Sequence, residues 1–301
     1  MHEFDAIIKA ALKEDIGPGD VTTRFFVPLG TRFYGEMLAK DNGVVCGLAV
    51  ARRVFDLAAP GSTVKALVKD GARIKIGAVL MKIAGPASIL TAERTALNFL
   101  QHMSGVATRA ALFSSVIRHP RTKIYDTRKT LPGLRAIEKY AAACGGARNH
   151  RLGLHDMAMI KDNHVALAGG SPEKLAERIA AMRRAKHGLK IEIEAQSIAQ
   201  LRAFLPLGAD VIMLDNMNFA AMKKAIALIK AYKGKKPEIE ISGGVDLAKA
   251  ARYSRLGPDR ISVGSITSGA KPLDISFEVK TQGKKQPAPI LRSSPCPASA
   301  R

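Results

Sequence analysis

The densest run of chemically useful side chains lies in residues 126–164 and is strongly basic. Its cations and imidazoles are Arg128, Lys129, Arg135, Lys139, Arg148, His150, Arg151, His155, Lys161 and His164. Guanidinium groups bind carboxylates through paired hydrogen bonds, and an ammonium group suits phosphate as a point charge. The run therefore favours a pocket for a polyanion over a solvated basic face, with Arg128, Lys129, Arg151 and Lys161 as its principal residues.

Other residues of this run have less decided roles. For Arg135, Lys139 and Arg148 the pattern leaves ligand binding and purely structural roles equally open. His150 is expected to donate a hydrogen bond to a ligand and not to hold a metal, because no carboxylate or histidine lies at metal-binding spacing from it.

Carboxylates and glycines follow later apolar runs. Glu194 and Asp215 are interpreted as ligands of Mg²⁺ or of ribose hydroxyls that also stabilise positive charge on a sugar, the alternative being simple pairing with the lysines. Glu192 is expected on the other face of its strand from Glu194, unless the register differs. Bare backbone N–H groups at Ser242–Gly243–Gly244 and Gly264–Ser265 predict a phosphate site.

These residues sit at the ends of strands in a repeating pattern. From residue 122 onward, strand-like runs KIYDTRKT, AMIKDNHV, KIEIEA, ADVIMLDN, EIEISGG and RISVGSI recur, with helical segments near 173–187, 196–207, 218–233 and 246–256. Alternating strands and helices predict parallel βα units. In a closed parallel barrel every strand ends at one mouth, so a barrel, favoured here over an open doubly wound sheet, would gather the polar ends into one pocket.

The first ninety residues have a different pattern. An amphipathic helix is predicted over 1–16, and antiparallel hairpins over about 31–90, with turns at 41–43, 70–71 and 85–86. One long helix or two consecutive ones follow, capped by Thr91. The last twenty residues, rich in Pro, Ser and basic side chains, predict a flexible tail.

Composition limits the function classes. The 301 residues include 47 Lys and Arg against 26 acids, a formal charge of +21. This excess suggests an anionic partner, with nucleic acid as the secondary interpretation because no nucleic-acid-binding signature is present. No apolar run of membrane-spanning length occurs. The three cysteines (Cys46, Cys144 and Cys296) are far apart and odd in number, which fits neither a disulfide framework nor a zinc site and favours a reduced cytoplasmic protein.

Eight segments together resemble the quinolinate phosphoribosyltransferase family. In family order, over about residues 10–280, they are DIGPGDVTT, TAERTALNFLQHMSGVAT, DTRKTLPGLR, GGARNHRLGLHDMAMIKDNH, IEIEAQS, IMLDNM, ISGGV and ISVGSIT. The resemblance implies an α/β protein of the type II phosphoribosyltransferase fold, an incomplete α/β barrel plus an N-terminal α/β sandwich domain. The implied division is an N-terminal domain of 1–110 joined by 272–280, a barrel domain of 111–271 and a flexible basic tail of 281–301.

The resemblance also implies a reaction: quinolinate and phosphoribosyl pyrophosphate give nicotinate mononucleotide, CO₂ and pyrophosphate, with Mg²⁺, in NAD synthesis. It implies that Thr127, Arg128, His150, Arg151 and Lys161 bind quinolinate. The other implied positions are Lys129, Glu194 and Asp215 as catalytic residues near the phosphoribosyl pyrophosphate, the last two also near the metal through substrate or water, and Ser242, Gly243, Gly244, Gly264 and Ser265 as the phosphate site.

A homodimer is implied as well, because Arg94 matches an arginine that the family supplies to the neighbouring subunit's active site. Two alternatives stay open at this point. One is a paralogous phosphoribosyltransferase-like protein that acts on another substrate. The other is a basic nucleic-acid-binding protein, which would show a steep salt dependence of its affinity.

Overall fold

The computed structural model describes residues 2–280. The tail predicted at 281–301, and Cys296 within it, lie outside the described residues. The N-terminal elements are α1 (Asp5–Ile16), α2 (Val21–Phe26), β1 (Arg32–Ala39), β2 (Gly43–Val44), α3 (Leu48–Ala58), β3 (Thr63–Ala66), β4 (Arg73–Ile74), β5 (Val79–Pro86) and α4 (Ser88–Ser115).

An antiparallel four-stranded sheet organises this half, in the order β12-β1-β5-β3. Its edge strand β12 (Ile275–Lys280) comes from the far end of the described chain and pairs with β1, with Ala39 opposite Ile275. The segment LDISFEV therefore returns to the N-terminal sheet after the barrel. Helices α1, α3 and α4 bury their apolar faces in the same core.

The predicted hairpins are wrong in their pairing. β1 pairs with β5 and β12, while β2 pairs only with β4, so no two strands that are consecutive in the sequence are hydrogen-bonded here. The turn expected at 85–86 is absent, because both residues belong to β5 and lie opposite Phe33 and Arg32. Alternation of apolar and polar side chains sets which face of a strand is buried, but it does not select the partner strand.

Two helices of this half also differ from the sequence-based expectation. The long helix is single, but α4 begins at Ser88, and Thr91 lies inside its first turn with its hydroxyl donating to Asp20 Oδ2 at 2.9 Å. Helix α3 falls within the stretch expected to be strands. Its first amides, those of Gly47 and Leu48, donate to Asp70 Oδ1 at 3.1 Å, so its capping residue lies outside the segment itself.

The second half alternates strands and helices as predicted. Its elements are β6 (Lys123–Tyr125), α5 (Arg135–Cys144), β7 (Met157–Ile160), α6 (Asp162–Leu167), α7 (Pro172–Ala185), β8 (Lys190–Ala195), α8 (Ile198–Phe204), β9 (Val211–Asp215), α9 (Phe219–Ala231), β10 (Glu238–Ser242), α10 (Leu247–Ser254), β11 (Arg260–Ser262) and α11 (Ser265–Ser268).

The six strands form one parallel sheet in the order β6-β11-β10-β9-β8-β7. This is the cyclic order of a barrel, since the first strand lies beside the last, and it is interrupted only between β6 and β7. The free edge of β6 is covered by the backbone of Arg148, whose N–H donates to Ile124 O at 2.8 Å. The barrel is therefore incomplete. Within residues 2–280, no helix has both the length and the apolar character needed to cross a membrane.

Two of the cysteines are far apart in the sequence but close together in the fold. Cys46 follows β2 and Cys144 ends α5, yet their Sγ atoms lie within 4.8 Å of each other. Separation along the chain says nothing about distance in the fold once two domains pack on the same helix, here α4.

Candidate active site

A cavity of about 810 Å³ opens at the carboxyl ends of the parallel strands. Among its lining residues are all of the sequence-predicted site residues except Arg94: Thr127, Arg128, Lys129, His150, Arg151, Lys161, Glu194, Asp215, Ser242, Gly243, Gly244, Gly264 and Ser265. They converge because every strand of the sheet runs in the same direction and ends at this mouth.

The glycine-rich end of β10 is shaped by a close backbone approach. Gly243 has φ of +102°, and a Cβ atom there would lie 2.2 Å from Asn216 Oδ1. Asn216 itself has φ of +54°, the only positive φ of a non-glycine residue in the described chain. Its side-chain amide donates to Asp215 Oδ2 at 2.8 Å. Only glycine fits beside Asn216, and the loop turns its backbone toward the cavity.

Two guanidinium groups of the cavity lining, those of Arg128 and Arg151, lie close enough to repel each other. Burial and the neighbouring positive charge of Arg128 lower the pKa of Arg151, against the attraction of nearby carboxylates. Arg151 Nη1 donates to Met157 O at 3.1 Å, whereas Arg128 Nε is buried and has no hydrogen-bond partner within residues 2–280. Like charges and an unpaired donor are unfavourable until an anion binds them. This pair is the strongest electrostatic sign of a carboxylate-binding site in the described chain.

The remaining cations of the cavity are held in different ways. Lys161 forms an ion pair with Glu194, which is almost fully buried while the lysine side chain is 44% exposed. Lys129 lies beside Gly264, where its side chain fills the space that a Cβ would need. A substrate carboxylate would therefore compete with Glu194 for Lys161, while Lys129 forms no ion pair within residues 2–280 and lies beside the predicted phosphate site at Gly264.

His150 is surrounded by carboxylates that the sequence did not predict. Its Nε2 lies 3.2 Å from Glu240 Oε1 and 3.3 Å from Glu192 Oε2, and its Nδ1 accepts the Arg151 N–H at 2.8 Å. Both ring nitrogens are thus engaged within the protein, which disagrees with the expected hydrogen bond from His150 to a ligand. The expectation that Glu192 faces away from Glu194 is also wrong, because side chains two residues apart in a strand share a face.

The charge of this cluster follows from its partners. Burial disfavours the imidazolium, but hydrogen bonds and charges of Glu192 and Glu240 outweigh it and raise the pKa of His150 to about 9. The hydrogen bond that Nδ1 accepts from the Arg151 N–H opposes this shift, because only an unprotonated Nδ1 can accept it. Burial and the adjacent Glu240 in turn raise the pKa of Glu192. In the described geometry the His150 proton therefore lies on Nε2, between Glu192 and Glu240.

The pH dependence of stability is expected to report the raised pKa of His150. Because the folded pKa of about 9 lies above the ordinary 6.5, the His150 contribution is complete below about pH 6.5 and is lost as pH rises through 9. Urea unfolding of wild type and His150→Gln should differ most at pH 6.5, and the difference should shrink by on the order of 2 kcal/mol by pH 9.5. A difference that stays constant across this range would contradict the assignment.

The three undecided basic residues have structural contacts. Lys139, 1% exposed, forms an ion pair with the fully buried Asp126 at 2.6 Å and donates to His150 O at 2.9 Å. Arg135 donates to Thr130 and to a backbone carbonyl, and Arg148 acts through its backbone at the sheet edge. None of the three is among the residues that line the cavity.

Some lining residues were missed by sequence reasoning. Arg109 extends from the middle of α4, and its Nε is buried with no partner in the described part of the chain. No local signal marks it, because only the packing of α4 on the barrel brings it to the mouth. Asn216 follows the predicted Asp215 at a strand end, and this position could have identified it as a lining residue.

Arg94 lies apart from these residues. It is exposed on the second turn of α4 and does not line the cavity formed by its own chain. Its neighbour Glu93 has a pKa raised by partial burial, which the charge of Arg94 partly offsets.

Comparison with known proteins accounts for this arrangement. The family model described as Quinolinate phosphoribosyl transferase, N-terminal domain, matches residues 20–104, and the model of the C-terminal domain matches residues 106–278. The chain belongs to the quinolinate phosphoribosyltransferase family. The predicted fold class is confirmed, since the parallel six-stranded sheet and the separate antiparallel sheet are shared with solved members of this family.

Individual members of the quinolinate phosphoribosyltransferase family are similar over nearly the whole chain. The nicotinate-nucleotide pyrophosphorylase [carboxylating] of Mycobacterium leprae is 41% identical, covering 92% of this chain and 98% of the relative. Quinolinate phosphoribosyltransferase [decarboxylating] 1b of Nicotiana tabacum is 36% identical, covering 93% and 83%. The crystal structure of NadC from Streptococcus pyogenes has a TM-score of 0.86 at 38% identity, covering 92% and 96%.

Proposed function

We propose that this protein transfers the phosphoribosyl group of phosphoribosyl pyrophosphate to quinolinate, with decarboxylation, to give nicotinate mononucleotide, CO₂ and pyrophosphate for de novo NAD synthesis. The observation that carries the proposal is the mutual repulsion of Arg128 and Arg151, with Arg128 Nε lacking a hydrogen-bond partner within residues 2–280, in one cavity with Lys129 and two glycine-rich strand ends. The paralogue and nucleic-acid alternatives are not proposed, since the family models cover residues 20–104 and 106–278.

The two carboxylates of quinolinate match the cationic wall. Arg128 and Arg151 offer paired donors, Lys161 offers a third cation, and Thr127 lies beside them in the cavity lining. Binding a dianion relieves the repulsion between the guanidinium groups and satisfies the free Nε of Arg128. His150 orients Arg151 by accepting its backbone N–H, and Glu192 and Glu240 hold the ring through its Nε2.

The phosphoribosyl group fits the other half of the cavity. Backbone N–H groups at Ser242–Gly244 and Gly264–Ser265 suit its phosphate. The pyridine nitrogen attacks the anomeric carbon while the bond to pyrophosphate breaks, and Glu194 and Asp215 stabilise the developing positive charge on the sugar. The CO₂ then leaves, and the quaternised ring nitrogen takes up the electron pair of the broken carbon–carbon bond. Positioning of two charged reactants by fixed groups supplies much of the rate.

Mg²⁺ fits the donors of this cavity. Glu194 and Asp215 provide carboxylate oxygens, the ligand type that Mg²⁺ takes in proteins, and within residues 2–280 the Asp215 carboxylate accepts one hydrogen bond, from Asn216. We propose that they hold Mg²⁺ through water or substrate oxygens. When bound, the ion would neutralise charge on the pyrophosphate leaving group.

A homodimer that shares its active sites is also proposed. Arg94 is exposed, and large apolar side chains are also exposed on α2 and in the turn that follows it, with Phe26 86% and Leu29 fully exposed. Leu152 and Leu154, in the loop that follows Arg151, are exposed as well. Two such patches on one chain suit an isologous contact in which the N-terminal domain of one subunit covers the barrel mouth of its partner. The cytoplasmic location stays a prediction.

Substrate discrimination tests the proposed reaction directly. Pure protein with quinolinate, phosphoribosyl pyrophosphate and Mg²⁺ is expected to form nicotinate mononucleotide. Nicotinic acid lacks one carboxylate and leaves a buried cation unpaired, which should cost on the order of 2–4 kcal/mol of transition-state stabilisation. Its kcat/KM should therefore be roughly 30- to 700-fold lower than that of quinolinate. Chromatography measures how much nicotinate mononucleotide forms from each acid. Comparable turnover of both acids would contradict the proposal.

Asp215→Asn tests the sugar-side assignment. The variant is expected to lower kcat by about 100-fold or more, because it removes a charge that acts on the transition state. Quinolinate affinity, measured by calorimetry, should be nearly unchanged, since the Asp215 carboxylate bonds to Asn216 and to neither Arg128 nor Arg151 in the described chain. Glu194→Gln is a less selective variant, because it also frees Lys161.

The matched control is Asp274→Asn, an exposed carboxylate ahead of β12. It should leave both kcat and affinity unchanged. Loss of quinolinate affinity with normal turnover in Asp215→Asn would show that the two halves of the cavity are assigned the wrong way round.

A further inference from the structure

A thiol pair lies between the N-terminal domain and the barrel, away from the active-site cavity. Cys46, in the connection from β2 to α3, and Cys144, at the end of α5, place their sulfur atoms within 4.8 Å of each other and of an Asp70 carboxylate oxygen. Both cysteines are free thiols in this structure. Neither is among the residues that line the active-site cavity.

Both backbones are fixed against α4, so the approach of the sulfurs is built into the fold. Ser104 Oγ accepts the Cys46 N–H at 2.9 Å and donates to Cys46 O at 3.2 Å. On the other side, Gly145 packs so closely on α4 that a Cβ would lie 2.2 Å from Ala107 O. Helix α4 therefore holds both Cys46 and Gly145, the residue that follows Cys144.

The third member of the cluster is poorly available as a metal ligand. Asp70 Oδ1 accepts the backbone N–H groups of Gly47 and Leu48 at 3.1 Å, and Oδ2 accepts the Tyr140 hydroxyl at 2.9 Å. A structural zinc site takes four ligands, usually cysteine and histidine. With Asp70 committed to capping α3, two thiols remain, which is the composition of a disulfide and not of a zinc site.

The two thiols differ in a way that suits sequential oxidation. Cys144 is half-buried, and its pKa lies below the ordinary value because the interaction with the Cys46 side chain outweighs its burial. Cys46 is fully buried, and the hydrogen bond to Cys144 together with burial raises its pKa. A more acidic, accessible thiol beside a second thiol is the arrangement of an oxidisable pair.

We propose that Cys46 and Cys144 are a redox modification site that a peroxide converts to a disulfide linking the N-terminal domain to the end of α5. The Cys144 thiolate attacks one peroxide oxygen, the O–O bond breaks, and the departing hydroxide takes a proton and leaves as water. The Cys46 sulfur then attacks the resulting sulfenic acid, the S–O bond breaks, and a second water leaves with the Cys46 proton. The two thiols supply the two electrons that reduce the peroxide.

On the barrel side, the bond would be attached close to the active site in sequence. Gly145 and Gly146 connect Cys144 to the stretch that carries His150 and Arg151, whereas Cys46 lies one residue before Gly47, the N-cap of α3. Oxidation would therefore fasten the approach to the cationic wall onto the N-terminal domain. Because a cross-link restricts the unfolded chain, the oxidised protein should melt at a higher temperature than the reduced one.

Peptide mapping of the wild-type chain tests the proposal without any substitution. The reduced protein is treated with hydrogen peroxide, blocked with N-ethylmaleimide and digested under non-reducing conditions. The expected product is a linked pair of peptides containing Cys46 and Cys144, lighter than the two free peptides by about 2 Da. Two free thiols after peroxide that fully oxidises glutathione, or Cys144 sulfinic acid without the linked pair, would overturn the proposal.

Variants and a metal titration sharpen the test. Cys144→Ser should abolish the linked peptides and make the oxidised and reduced proteins melt together, whereas the matched control Cys296→Ser should form the link as wild type does. Stoichiometric zinc binding that is lost in Cys144→Ser would overturn the proposal in favour of a metal site. None of these readouts uses the proposed activity, so this inference and the proposed function fail or hold separately.

Discussion

Arg94→Ala and Lys129→Ala proteins are each expected to be nearly inactive alone, and mixing them is expected to restore roughly a quarter of wild-type activity. Lys129 lines the cavity of its own chain, whereas Arg94 is exposed and does not. If Arg94 serves the partner's cavity, a mixed dimer has one site with both defects and one site with neither. Random reassociation makes half of the dimers mixed, and half of their sites are intact.

The mixing experiment needs proof that subunits exchange, which mass spectrometry of differently tagged chains provides. Arg52→Ala, at an exposed arginine on α3 paired with Asp56, is the matched control and should keep full activity alone. No recovery despite proven exchange would place Arg94 in its own chain's site or outside any site. The shared-site dimer would then be wrong, while the cavity assignment would stand.

Lys139→Met is expected to destabilise the folded protein by about 3–5 kcal/mol, because it leaves the fully buried Asp126 carboxylate without its cation. Burial raises the pKa of Asp126 and lowers that of Lys139, and their mutual attraction opposes both shifts. The pair also fixes the backbone of His150, whose N–H donates to Asp126 Oδ1 at 2.7 Å. Quinolinate binding should therefore weaken together with stability.

Chemical unfolding of single and double variants checks this assignment. Asp126→Asn combined with Lys139→Met removes both charges and keeps an acceptor for the His150 N–H, so it should regain more than half of the lost stability. Lys9→Met, at an exposed lysine of α1, is the matched control and should change stability by less than about 0.5 kcal/mol. A small effect of Lys139→Met would show that the buried pair is not a structural anchor.

The barrel half could be predicted closely because its signals are local. Each strand is a short apolar run followed by a polar residue or glycine, and parallel strands bring all such ends to one mouth. Thr127, Lys161, Glu194 and Asp215 were predicted in this way, and all line one cavity. The same argument could not predict Arg109, because this residue reaches the cavity from the middle of helix α4 and not from the end of a strand.

Some sequence-based predictions were wrong although strand geometry and residue preferences were enough to avoid the error. Glu192 and Glu194 are two residues apart in β8, so a shared face followed from strand geometry alone. The turn at 85–86 failed for another reason: glycine and proline mark turns, but proline is also tolerated at the end of a strand, where Pro86 lies.

From residue 122 onward, the sequence by itself determined the alternation of strands and helices and the residues at the strand ends, and over the whole chain it determined the excess of positive charge. The tertiary structure alone decided the partners: β1 with β12, His150 with Glu192 and Glu240, Lys139 with Asp126, and Cys46 with Cys144. Secondary structure and strand ends follow from short-range periodicity and steric rules. Pairing between residues distant in the chain is fixed only when helices such as α4 pack on both domains, and no local pattern encodes that contact.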